Sequence, residues 1–142
     1  MSSPEFFSVL LAGGSGTRFW PASRRAHPKQ LLKFLDGQSL LRATLDRQGD
    51  LVDADHVLVL TSEELLSPCQ AALEELPDSG FLAEPVGRNT AASVAWAAVA
   101  VARRDPKAVF AVLPADHVIP DDDQYRASMR AAIELASKED VL

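Results

Sequence analysis

The sequence predicts an α/β fold, a mostly parallel sheet with helices on both faces. Three observations carry that expectation. Apolar runs at residues 6–12 (FFSVLLA), 56–60 (HVLVL) and 108–113 (AVFAVL) are continuous rather than alternating, as in strands buried on both sides. Segments with helix caps and helical spacing lie between them. The chain has 142 residues, of which 47% are hydrophobic and 24% charged, enough apolar material for one domain with a sizeable core.

Taken in order, the strand at 6–12 is ended by Gly13 and Gly14. The loop after it, through Pro28, holds too much Gly and Pro for a long helix. Residues 31–35 read as a short strand stopped by Asp36 and Gly37. Ser39 is placed to cap a helix over 40–48, with Leu41, Leu45 and the aliphatic stem of Arg42 along one side. The strand at 56–60 follows, and Ser62 opens a helical segment. Pro68 is expected to split that segment and leave an ordered helix over 69–76.

Residues 81–84 form a short strand stopped by Pro85, and Asn89 or Thr90 caps a helix through Arg104. The basic residues at its end suit the helix dipole. After the strand at 108–113, Asp121 to Asp123 begin a final helix reaching about Lys138. Val141 and Leu142 look like the start of another strand. The single domain spanning 1–142 is therefore expected to be a truncated, N-terminal part of something longer.

A formal net charge of −6 argues against non-specific nucleic-acid or anionic-membrane binding, which need an electropositive face. The one cysteine, Cys69, allows neither an intrachain disulfide nor a thiolate zinc site and suits a reducing compartment. Glu5 precedes the first apolar run and no positive charge does, the wrong order for a secretory signal. The longest apolar run, residues 91–102, falls short of the ~20 residues that span a bilayer. The expected location is the cytoplasm.

Against this acidic background, residues 10–30 read LLAGGSGTRFWPASRRAHPKQ. Between residues 6 and 35 stand Arg18, Arg24, Arg25, Lys29 and Lys33 and no acid. Glycines after a buried strand let backbone N–H groups approach an anion closely, and Arg18 offers a planar fork for phosphate oxygens. A solvated turn is the competing account, but five cations on a proline-stiffened loop favour a phosphate-rich ligand. The loop fits neither common nucleotide motif. Phe19 stands where a dinucleotide fingerprint needs its third glycine, and no Gly-Lys-Ser/Thr completes a Walker loop. That disfavours a nicotinamide-dependent oxidoreductase.

Two more stretches fall at the same sheet edge. In LPADHVIP, Asp116 follows a buried strand, where a carboxylate near polyphosphate needs a bridging cation such as Mg²⁺. A turn-forming Asp explains the residue as well. In EPVGRNTA, Glu84 could accept from two donors held side by side, as guanine N1–H and N2–H₂ are and as adenine has none. A helix cap with a surface Glu accounts equally well for those residues.

Together the three stretches resemble the sugar-1-phosphate nucleotidyltransferase family, and within it the mannose-1-phosphate guanylyltransferase branch of the bacterial long type. The resemblance covers residues 9–142, and the Trp-Pro, Ser-Arg and Gly-Arg-Asn-Thr elements separate this branch from relatives using thymidine or uridine nucleotides. It implies a Rossmann-like fold, Mg²⁺, and GTP plus mannose 1-phosphate giving GDP-mannose and pyrophosphate. By the resemblance, Leu11, Ala12, Gly13, Gly14, Ser15, Gly16 and Thr17 hold the nucleotide. Arg18 and Lys29 contact its phosphates as catalytic groups. Glu84, Gly87, Asn89 and Thr90 lie around the base, and Asp116 is a metal ligand.

Members of that family run on into segments holding the sugar, a further lysine and a second metal-binding aspartate, and some add an isomerase domain. The resemblance thus implies the nucleotide half of a site, inactive or weakly active by itself. A non-catalytic nucleotide-binding or interaction module is the alternative. Apolar edges of a truncated sheet are expected to invite association, for instance as a homodimer.

Overall fold

A computed structural model describes residues 4–14, 21, 23, 28–35, 37–87 and 89–138. Its main sheet is built from β1 (Phe6–Leu11), β4 (Val57–Ser62), β5 (Phe81–Glu84) and β6 (Val109–Pro114), in the spatial order β5-β4-β1-β6. All three pairings are parallel. Two short strands, β2 (Lys33–Leu35) and β3 (Gln38–Ser39), form a separate antiparallel pair.

The continuous apolar runs are explained by two covered faces. Leu10 and Ala12 of the first run and Val57 and Val59 of β4 pack with Leu41, Leu65, Cys69 and Leu73 on one side. Phe7, Val9, Leu58 and Leu60 point the other way, against Ala97 and Val101. The first side is covered by α1 (Leu40–Gln48) and α2 (Leu66–Ala72), the second by α3 (Asn89–Arg104). The fourth helix, α4 (Asp122–Ala136), is tied to α1 by a Gln48 Nε2 bond to the Tyr125 hydroxyl at 3.0 Å. A mostly parallel, Rossmann-like sheet covered on both faces is thus what the chain forms.

Local chemistry sets the helix ends. Ser39 Oγ accepts from Arg42 N at 3.1 Å, and Asp121 Oδ1 accepts from Gln124 N at 2.9 Å, both N-caps of a kind commonly contributing ~1 kcal/mol. Two expectations change. Residues 29–31 form a 3₁₀ turn, so the strand expected over 31–35 is confined to Lys33–Leu35. Pro68 does not split its helix: it lies in the first turn of α2, where N–H groups have no helical acceptor, and the helix instead ends at Ala72. The strand expected from Val141 lies outside the described residues.

Candidate functional site

Because the four sheet strands are parallel, their carboxyl ends share one edge. From β1 the chain adds β4 and β5 on one side, then returns with β6 to the other side of β1. The crevice of such a sheet opens where that order reverses, at the ends of β1 and β6. Leu11 is in register with Pro114, and Ala115 N donates to the Leu11 carbonyl at 3.1 Å. Gly13 and Asp116 therefore leave the sheet side by side. Gly14 takes φ +118°, a conformation open to glycine and strained for other residues.

Next to this crevice lies a pocket of about 450 Å³ lined by residues from β1, β4, β5 and the first turns of α3. Leu11, Gly13, Gly14, Glu84, Gly87, Asn89 and Thr90 all line it, together with Leu60 and Ser93. Asn89 opens α3 at φ +67°, a left-handed conformation that asparagine tolerates better than most side chains. Glu84 ends β5, and its Oε1 accepts from Ser93 Oγ at 2.6 Å. Its other oxygen, Oε2, would lie 3.8 Å from a Cβ placed on Gly13.

On the other flank of the β1 end, Lys29 Nζ pairs with Asp116 Oδ2. The remaining oxygen, Asp116 Oδ1, is buried without a hydrogen bond. His117 Nε2 stands 3.5 Å from it, longer than an effective hydrogen bond. A buried carboxylate oxygen lacking a hydrogen bond at this sheet edge fits magnesium, which commonly takes one or two carboxylates and fills its shell with phosphates and water. No cluster of three or more His, Cys, Asp or Glu capable of holding a metal occurs among the described residues. The Lys29 turn is anchored by its neighbour Gln30, whose Nε2 donates to the Ala12 carbonyl at 2.6 Å.

The structure thus gathers the described parts of the three sequence stretches at one edge. Ala12 differs from its neighbours in being fully buried behind the pocket, its backbone held by Leu60 and Gln30. Ser15, Gly16, Thr17 and Arg18 lie outside the described residues. Sequence reasoning missed Leu60, Ser93 and Gln30. Ser93 carried a signal, a hydroxyl inside the apolar run 91–102 and four residues after Asn89. Gln30 carried none, since only the fold brings it beneath Ala12. Cys69 is fully buried, and that burial pushes its thiol pKa up, only partly opposed by its contact with the Thr61 hydroxyl.

Comparison with known proteins agrees with the fold. A family model described as nucleotidyl transferase matches residues 7–142. The chain is 37% identical over 141 residues to a mannose-1-phosphate guanylyltransferase of Escherichia coli (strain K12), covering 96% of the chain and 29% of that protein. It is 39% identical over 136 residues to the xanthan biosynthesis protein XanB of Xanthomonas campestris pv. campestris, covering 94% of the chain and 29% of the relative. A solved structure from Thermus thermophilus, described as a mannose-1-phosphate geranyltransferase, superimposes with a TM-score of 0.78 at 33% identity. That likeness covers 93% of this chain and 38% of that one. The chain therefore spans less than a third of the length of the two sequence relatives.

Proposed function

The chain belongs to the nucleotidyl transferase family, and on that premise we propose that it serves guanylyl transfer from GTP to mannose 1-phosphate, with release of pyrophosphate. One observation carries the reading. An acidic group, Glu84, is fixed inside a pocket sized for a nucleoside, while a lysine–aspartate pair stands at the adjoining crevice. The Glu84 carboxylate repels phosphate and attracts donors, so the base goes to the pocket and the triphosphate to Lys29, with Asp116 reaching it only through a bridging cation. Guanine presents the matching donor pair and adenine does not.

The sugar phosphate attacks the α-phosphorus in line. A new P–O bond forms there as the bond to the β-phosphate oxygen breaks, and pyrophosphate leaves. A phosphate monoester has its second pKa near ~6, so the nucleophile is already largely dianionic at neutral pH and needs no general base. What remains for the protein is positioning and charge neutralisation. Lys29 exchanges Asp116 for an α-phosphoryl oxygen when nucleotide enters, and Arg18 is assigned to the leaving pyrophosphate. Magnesium held by Asp116 would neutralise charge on the triphosphate.

Calorimetric titration of the chain with GTP and with ATP, each with Mg²⁺, tests the reading. GTP is expected to bind at least ~10-fold more tightly, the discrimination of a hydrogen-bonded donor pair. Equal affinities, or no heat from either nucleotide, would reject it.

A further inference from the structure

We propose that Ser93 is a positioning residue for base selection: its hydroxyl fixes the plane of the Glu84 carboxylate that reads the nucleobase. The inference rests on the reading of Glu84 given above and adds a residue to it. The buried line of α3 consists of Ser93, Ala97 and Val101, spaced four apart, and Ser93 is its one polar member. It is the member of that line nearest the sheet's carboxyl edge, and a hydroxyl buried there needs a partner.

Two acceptors lie within reach, Glu84 Oε1 at 2.6 Å and the Asn89 carbonyl at 3.2 Å. A hydroxyl has one proton. The shorter bond, to a charged acceptor, takes it. The Asn89 carbonyl is the ordinary helical fallback for a serine, so the hydroxyl is not needed to build α3. Its use is at Glu84.

Glutamate is a flexible side chain, and a carboxylate free to rotate would meet a base in many orientations. Tethering Oε1 leaves that oxygen a second acceptor site and holds Oε2 at a set angle. Gly13 stands beside Oε2, where a Cβ would come within 3.8 Å of it, an ordinary contact distance. Two acceptors in one fixed plane match two parallel donors, and the ordering is done before the ligand arrives.

The test compares wild type, Ser93→Ala and Ser93→Thr by calorimetry with GTP, ITP and ATP, each with Mg²⁺, and with inorganic triphosphate as a probe lacking a base. ITP keeps N1–H and lacks the N2 amino group. Ser93→Ala is expected to lose about tenfold of the GTP preference over ITP and ATP. Its affinity for inorganic triphosphate should stay at the wild-type value, and Ser93→Thr should restore the preference. Wild-type ratios in Ser93→Ala would overturn the proposal. So would an equal fall for all three nucleotides, which marks a merely structural role. A wild-type protein without guanine preference would instead overturn the Glu84 reading itself, and this proposal with it.

Discussion

Lys29 and Asp116 are 87 positions apart in sequence and meet at the edge where the sheet opens. Their pairing supplies a cation and an anion to the same crevice, and each makes a separate prediction. Asp116→Asn keeps the shape and removes the charge, so it should abolish at least ~10-fold of the gain in GTP affinity that Mg²⁺ brings. If the proposed contact of Lys29 with phosphate is right, Lys29→Met should weaken GTP both with and without Mg²⁺. Titrations at saturating Mg²⁺ and in a chelator separate the two. An Asp116→Asn protein with the full magnesium gain would remove Asp116 from the metal site. Both residues could be singled out from the sequence because each sits in a short local motif. Ser93 and Gln30 were harder to single out, since their roles depend on Glu84 and Ala12, which only the folded chain brings near.

Between residue and fold, a buried glutamine links α1, β1 and α4. Gln48 accepts from Ser8 Oγ at 3.2 Å and donates to the Thr44 carbonyl at 3.1 Å and the Tyr125 hydroxyl at 3.0 Å. Beside it, the buried Arg47 pairs with Asp122 at 3.2 Å and lies 5.6 Å from the Tyr125 ring centroid. Gln48→Ala would strand the Ser8 hydroxyl in a fully buried position. Unfolding in urea should then show a loss of ~1–3 kcal/mol. A change below ~0.5 kcal/mol would mean that the network does not hold α4 in place. Element positions were readable wherever the chemistry is local, as with the Ser39 cap, the bounds of α1 and the strand Phe81–Glu84. Pro68 misled because its effect depends on its place within the helix, and spacing alone did not say where α2 begins. The polar α1–α4 junction was not readable either, since apolar periodicity carries no information about buried glutamine or arginine.

Over the whole molecule, strand order does what no single residue can. Placing β1 in the interior of the sheet, with β4 and β5 to one side and β6 to the other, brings residues 13, 84 and 116 to one edge. An acidic chain thereby holds a cation-bearing crevice next to an acidic pocket, opposite demands that a nucleoside triphosphate satisfies at its two ends. None of the described helices is long and apolar enough to cross a membrane. The parallel sheet was legible from its uninterrupted apolar runs, because burial on both faces leaves no polar alternation. Most of the lining of the 450 Å³ pocket was singled out in the sequence, but Leu60 and Ser93 were not, since only the folded chain brings β4 and the second turn of α3 to the same edge. The most direct measurement is a crystal structure of the chain with GTP and Mg²⁺. The account predicts the base against Glu84 and Asn89 and the triphosphate between Lys29 and Asp116. Nucleotide density away from that edge, with Glu84 and Asp116 making no contact to it, would contradict the account.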